Sequence, residues 1–550
     1  MPYTYYNSIS SAQDELGAST TSSNSRRSSE SYYDDDAGFT NQHPAGGEHY
    51  YDGPTATQFV RVKRALVAAV LATLILGIGI HWKEGTWNGP TNTSSSSSSS
   101  VPNNRDFSLL GMAKAIASQD TSSQDSLDAS IQTLSERGRT VKPGRDDILV
   151  FQTAAADAYD PEENPEGYLV MIVAENRLMY HELSAKLRQV MTNTTIPEWA
   201  LDYGQMSGQN DFRKAMAKMM ESSWIDAPVS HKDILLQGGA GVVLDNLAWI
   251  LADEGDAFLI NAPTYSNFAG DFEIHGRVAM HVARTQPKNN YEPTLEELEQ
   301  AYKEAVDAGN TPKIYVICQP NNPVGAIYSH AGMKRMITWA LEKGLHVVSD
   351  EIYGNSAFPG YHVTSAAQIM NELHPENDDY LTDKVHIVAG LSKDWGMSGF
   401  RGGSLFTHNE ALKVAMETIS YYSSVSEYTQ LALTAMLSDE VWRDWYLAEN
   451  RRRLEETFYA AKEALDLIGV PVFPATGALF LWADFSSYLL HGQTEKELWL
   501  ELFHDAKVLF AAGESFFEDK PGMFRIVYPW PKGGTVAMKE LGRRLVHWKE

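Results

Sequence analysis

The chain has 550 residues, 43% of them hydrophobic, enough for one large or two medium cores beside some non-globular sequence. Its formal net charge of −26 and its lack of a basic stripe with interleaved aromatics exclude a surface built to neutralise nucleic-acid phosphates, so no nucleic-acid partner is expected. The single cysteine, Cys318, excludes an intrachain disulfide and a thiolate cluster; it reads as a small buried hydrophobe, and no metal site is expected.

Residues 1–60 are rich in Ser, Tyr, Asp and Gly, include Asp34-Asp35-Asp36 and show no apolar periodicity, so they are predicted to be disordered. Ala65 to Ile80 is then an uncharged run of sixteen residues with Thr73 as its only polar side chain, preceded by Arg61, Lys63 and Arg64. A bilayer needs about 20 apolar residues, and His81-Trp82 extends the run into the interface. The expectation is one transmembrane helix over 61–83, entering the membrane through 65–82 as a single-pass anchor. A buried core helix would explain the same run, but its low-complexity flanks offer nothing to pack against. A cleaved signal peptide conflicts with the 60 or so residues in front. The basic cluster would keep the N-terminus cytoplasmic, and the sequon Asn92-Thr93-Ser94 leans the same way. Residues 84–144 read as a polar linker with seven consecutive serines, interrupted by one short amphipathic stretch, Phe107 to Ala117.

From about Arg145 strand-like and helix-like runs alternate. Ile234 to Leu236 leads into a helical stretch, Val242 to Leu251; Ala257 to Ile260 is a strand and Thr294 to Ala308 a helix. Lys313 to Cys318, His346 to Ser349 and Val385 to Ala389 are buried strands, with a helix at His330 to Glu342. Beyond Asp439 come a long helical stretch, Val441 to Leu467, a strand at Leu479 to Ala483, a helix at Glu495 to Asp505, a strand at Arg525 to Tyr528 and a last helix. This alternation predicts an α/β fold with a mostly parallel sheet covered by helices on both faces, and sites on such sheets gather at the carboxyl ends of the strands.

Three strings sit at such ends. Ser392-Lys393-Asp394-Trp395-Gly396 follows Val385 to Ala389, with Arg401 eight residues after the lysine. Asp350-Glu351-Ile352-Tyr353 follows His346 to Ser349, and Gln319-Pro320-Asn321-Asn322-Pro323-Val324-Gly325 follows Lys313 to Cys318. One lysine in a Gly-rich loop reads as a solvated charge, whereas desolvation or neighbouring positive charge makes it a Schiff-base former. A carboxylate straight after a buried strand, as at Asp350, is costly without a partner. Asn322-Pro323 also fits ordinary turn chemistry and Tyr353 an ordinary interface aromatic. Gly239-Ala240-Gly241, between a strand and a helix, could bring bare amides to a phosphate at the positive end of the helix.

Together these strings resemble the pyridoxal-phosphate enzymes of the aspartate aminotransferase fold, class I/II, and within it the 1-aminocyclopropane-1-carboxylate synthase-like branch. The resemblance covers residues 145–550, and implies a large subdomain over about 200–437 and a small one from about 145–199 plus 438–550. It implies pyridoxal 5'-phosphate as cofactor, Lys393 as the lysine that binds its aldehyde, and Asp350 as the carboxylate paired with the pyridine nitrogen. Tyr353 and Asn322 match the groups that bond the phenolic oxygen; Arg401, Ser392, Gly239, Ala240 and Gly241 surround the phosphate, and Tyr265 stacks on the ring. Tyr203 matches a tyrosine that reaches the phosphate of a neighbouring subunit, which implies a homodimer. Arg525 matches the arginine that clamps the substrate α-carboxylate, a task suited to its planar fork. Glu175, in Ala174-Glu175-Asn176, matches a carboxylate that projects into the synthase site; read by itself it is an N-cap or surface carboxylate.

The chain departs from the pattern at Gly390, where many relatives have a serine, at Phe268-Ala269-Gly270-Asp271 in place of a charged string, and at Arg177 in place of glutamine. These changes flank the substrate side. The expected reaction is transamination of an amino acid to a keto acid through an α-carbanion, with Lys393 as general base. The alternative is a cyclopropane-forming synthase acting on S-adenosylmethionine, and a third reading is a non-catalytic, membrane-tethered regulator. A membrane location follows from the anchor; cytosolic cofactor and substrates oppose the orientation that the basic cluster favours, so the side of the catalytic domain stays open.

Overall fold

The computed structural model describes residues 131–140, 147–529 and 534–550. The predicted disordered tail, the anchor and most of the linker lie outside the described residues; among the described residues no helix is long and apolar enough to cross a membrane. Within the predicted linker, Glu136–Thr140 forms a short helix with Glu136 in its first turn and Arg137 and Arg139 in its last, charges that suit the helix dipole.

Twelve strands are formed among the described residues: β1 Leu169–Val170, β2 Ile234–Gln237, β3 Asp256–Ala262, β4 Ala279–Arg284, β5 Thr311–Cys318, β6 His346–Asp350, β7 Val385–Gly390, β8 Gly403–Thr407, β9 Phe480–Asp484, β10 Val508–Leu509, β11 Ala511–Ala512 and β12 Met523–Val527. Seven make one sheet in the order β2-β8-β7-β6-β5-β3-β4. The pairs among β3 to β7 are parallel, while β8 runs antiparallel to both β7 and β2. Ile314, Val316, Val347, Val348, Ile387 and Val388 are fully buried, as strands covered on both faces must be. Helices Ala240–Leu251, Leu295–Asp307 and His330–Glu342 follow β2, β4 and β5 in the chain. Leu295–Asp307 opens on a capping box, in which Thr294 accepts the Glu297 amide and Glu297 accepts the Thr294 amide.

The β5, β6 and β7 ends lie side by side, with Cys318 opposite Asp350 and Asp350 opposite Val388. The three strings at Asn322, Asp350 and Lys393 are therefore brought to one edge of the sheet. A second, antiparallel sheet, β11-β12-β9, sets Arg525 opposite Trp482, and β1 pairs in parallel with β10. The helix Glu440–Asp466 packs along the last helix, Thr535–Lys549. Arg544 on that last helix donates to the carbonyls of Gly167 at 2.7 Å, Pro165 at 2.8 Å and Lys507 at 3.1 Å. Next to β1 the chain continues as a strap, residues 171–177, whose first residue bonds Leu509 and Val527 through its backbone.

Candidate active site

Lys393 stands three residues beyond β7, and its Nζ donates to the Ala174 carbonyl at 2.9 Å. Burial, then the nearby Arg525 and Arg401 charges, bring its amine down to about 8, against the pull of Glu175 and Asp350. Asp350 closes β6 and is 5% exposed; its Oδ1 accepts the Ile352 amide at 3.2 Å. Burial pushes its carboxyl up to about 7, against the Ile352 amide and Lys393. Asn322 donates Nδ2 to the Tyr353 hydroxyl at 3.4 Å and accepts Arg525 Nη1 on Oδ1 at 3.0 Å. Burial raises the Tyr353 hydroxyl well above its ordinary value, so it stays protonated.

Arg525 is buried in the middle of β12. Its Nη2 donates to the Ile172 carbonyl at 2.6 Å, and its guanidinium lies 4.7 Å from the ring centres of both Phe480 and Phe516. Two aromatic faces fix the plane of the fork, an arrangement suited to a carboxylate.

Gly239 caps the helix Ala240–Leu251 with φ 114°, and a Cβ there would lie 2.4 Å from Arg401 Nη2. Only glycine satisfies both the backbone and that approach. Arg401 is itself left-handed, φ 56°, and donates Nη1 to the Ser398 carbonyl at 2.9 Å. Ala240 is the first helical residue, and a Cβ on Gly241 would lie 3.5 Å from Asp271 Oδ1. A guanidinium against a helix N-terminus is a place for a phosphate. Ser392 is buried beside Lys393, and Tyr265 is half-buried, edge-on to Phe268 with ring centres 5.3 Å apart.

The remaining two candidates are Tyr203 and Glu175. Tyr203 is 91% exposed on the surface after the turn Glu198–Leu201, not among these residues. Glu175 is neither an N-cap nor free: Oε1 accepts the Ser398 hydroxyl at 3.0 Å and Oε2 pairs with Arg177 Nη2 at 3.1 Å. Sequence reasoning missed the carbonyls of Ala174 and Ile172, which carry no side-chain signature, and the Phe480 and Phe516 rings, which read as core. It also missed Asp271, which burial and then Asp350 push up to about 7; its string had been read only as a departure.

This donor set fits pyridoxal phosphate. A cradle that a Cβ would fill lies under Arg401, a buried carboxyl raised by desolvation stands at Asp350, and a lysine of depressed basicity feels both charges.

A family model described as aminotransferase class I and II matches residues 174–543. Among curated proteins, 1-aminocyclopropane-1-carboxylate synthase 2 of Cucurbita pepo is 32% identical over 389 residues, covering 69% of this chain and 78% of that protein. A probable inactive 1-aminocyclopropane-1-carboxylate synthase-like protein 2 of Mus musculus is 30% identical over 407 residues, covering 72% and 69%. Among solved structures, Thermus thermophilus aspartate aminotransferase with maleate superposes with a TM-score of 0.63 at 20% identity, over 76% of this chain and 99% of that one. At that identity the likeness concerns the fold.

Proposed function

The chain belongs to the aminotransferase class I and II family and is a pyridoxal-phosphate-dependent enzyme, and from that premise we propose that it transaminates an amino acid at the site around Lys393. In this reading the helix start at Gly239-Ala240-Gly241, with Ser392 and Arg401, holds the cofactor phosphate. Asp350 would pair with the ring nitrogen, Tyr265 would pack on the ring, and Tyr353 and Asn322 would bond the phenolic oxygen. The cofactor supplies an electron sink for the pair released at the substrate α-carbon. Arg525 grips the α-carboxylate, and the Lys393 amine, held near 8, is available in neutral form to take the α-proton and return it.

The observation that favours transamination is the Arg177–Glu175–Ser398 set. Glu175 is bonded by a guanidinium and a hydroxyl, so a cationic sulfonium would have to compete with Arg177 for it. The second reading, a 1-aminocyclopropane-1-carboxylate synthase, is favoured by the names of the curated relatives at 30–32% identity. A non-catalytic regulator is disfavoured because Lys393 and Asp350 are both present and Lys393 feels the charges of both Asp350 and Arg525.

The test is the visible spectrum of the purified full chain loaded with pyridoxal phosphate, taken with single amino acids and then with S-adenosylmethionine. Bleaching by an amino acid that a keto acid reverses supports transamination. Release of the cyclopropane amino acid would support the synthase instead.

The reading includes a homodimer, since Tyr203 together with Leu201, 79% exposed, and Tyr422, 87% exposed, leaves large apolar side chains uncovered. Tyr203 would then serve the partner's phosphate. It also includes a single-pass anchor at residues 65–82, which fractionation of membranes with and without carbonate extraction would test.

A further inference from the structure

Asp394, the residue after Lys393, is turned toward Asn355 and Arg451. It is 3% exposed, and its Oδ2 accepts the Asn355 amide at 2.6 Å. Its Oδ1 is buried and has no hydrogen-bond partner among the described residues. A buried carboxyl oxygen left unmatched is costly, and such groups persist where a site needs them.

Asn355 lies two residues after Tyr353, on the same turn. Arg451 of the helix Glu440–Asp466 closes on it, donating Nε to its carbonyl and Nη2 to its Oδ1, both at 3.0 Å. The same helix holds the lysine turn: Asn450 donates to the Asp394 carbonyl at 3.1 Å, and Tyr446 donates to the Trp395 carbonyl at 2.9 Å while stacking on the Trp395 ring. Helix contacts thus fix the backbones of both turns. The Asp394 side chain is a direct tie from one turn to the other.

We propose that Asp394 is a positioning residue for Lys393, its carboxyl tying the lysine turn to the Tyr353 turn and so fixing the lysine amine relative to the Tyr353 hydroxyl. The proposal rests on Lys393 and Tyr353 serving the same cofactor, as read above. Both groups then converge on neighbouring atoms of one ring, where a misplacement of about 1 Å is felt strongly. The lysine amine is faced by Arg525 from β12, Asp350 from β6, Glu175 from the strap and Arg401 from its own loop; Asp394 is faced by Arg451 and Tyr446 from the long helix.

The test uses the full chain loaded with pyridoxal phosphate and reads the pH midpoint of the visible band of the lysine-linked cofactor. D394A and D394V remove the acceptor for the Asn355 amide, and the midpoint is expected to move by about one pH unit. D394N keeps an acceptor of the same shape, and its midpoint is expected to stay with the wild type. Either of the first two that folds and binds cofactor suffices. An unchanged midpoint in that variant overturns the proposal. So does a shift in D394N as large as in D394A, because the charge of the carboxylate would then be acting instead of its bond. If the wild type has no pH-dependent band, the reading of Lys393 fails first, which separates the two failures.

Discussion

The Lys393 amine and the Ala174 carbonyl, 219 residues apart in the chain, are hydrogen-bonded at 2.9 Å. The strap that carries Ala174 also carries Glu175, so the lysine shares its surroundings with a carboxylate from the far side of the site as well as with Arg525 and Arg401.

That environment sets the pH at which the cofactor-free enzyme captures pyridoxal phosphate. The attacking amine must be neutral, so the capture rate should rise with pH through about 8 and level off above it. Arg525→Leu removes a positive neighbour, which favours the charged amine and moves the midpoint up. Glu175→Gln removes a negative neighbour and moves it down. Stopped-flow absorbance across a pH series checks both, and displacement in the same direction would contradict the assignment.

Asp350 should destabilise the cofactor-free protein above neutrality. Its folded-state carboxyl is raised to about 7 from an ordinary 3.8, chiefly by burial, so the folded protein holds an extra proton between those values and loses stability as pH rises through that window. The loss is complete above pH 7 and of the order of 4 kcal/mol. Asp350→Asn should therefore raise the melting temperature of cofactor-free protein at pH 8, leave it unchanged at pH 4, and abolish turnover.

Gly239→Ala should weaken cofactor binding without unfolding the chain. The new methyl meets Arg401 Nη2 at 2.4 Å on a backbone with φ 114°, so the arginine must move off the helix start. Loss of one charge-assisted hydrogen bond from the displaced arginine, roughly 1.5–3 kcal/mol, corresponds to about 10- to 150-fold in the dissociation constant, measurable by fluorescence titration.

The sheet and the strings on its edge were legible because buried parallel strands are continuous apolar runs and the strings follow them directly. β4 was not, since four of its six residues are only half-buried and its sequence, Ala279–Arg284, lacks such a run. β8 carries no such run either, since it opens on the glycine that meets Gly239 and holds Ser404 and Thr407 among its five residues. The lysine, Asp350, Tyr353, Asn322, Arg401 and Arg525 could be located one at a time from their neighbours in sequence. What they touch could not. The Ala174 and Ile172 carbonyls are backbone atoms, and the bond from Asp394 to Asn355 joins two turns whose separation only the folded sheet defines.

Arg525→Lys should behave as a severe change despite keeping the charge. The guanidinium is held flat between Phe480 and Phe516 while it bonds Asn322 and Ile172, and an ammonium cannot satisfy all of these and a carboxylate together. A fall in kcat/KM of roughly 10- to 100-fold, expressed chiefly in KM, is expected from steady-state kinetics with any amino acid that proves to be a substrate.

The grip of Arg544 on the carbonyls of Pro165 and Gly167 bears on how the protein is made. Those contacts join positions separated by 379 and 377 residues, and the strap that follows is further held by Leu509, Arg525 and Val527. At roughly 5–20 residues per second, the ribosome releases the strap's partners some 20–70 seconds after the strap itself. A nascent chain can finish its parallel sheet in that interval, yet the strap that carries Ala174 still lacks the late partners that hold it. The site therefore becomes complete only after the segment around Arg544 has been made, and a chain cut short of that segment yields a sheet whose strap is not held.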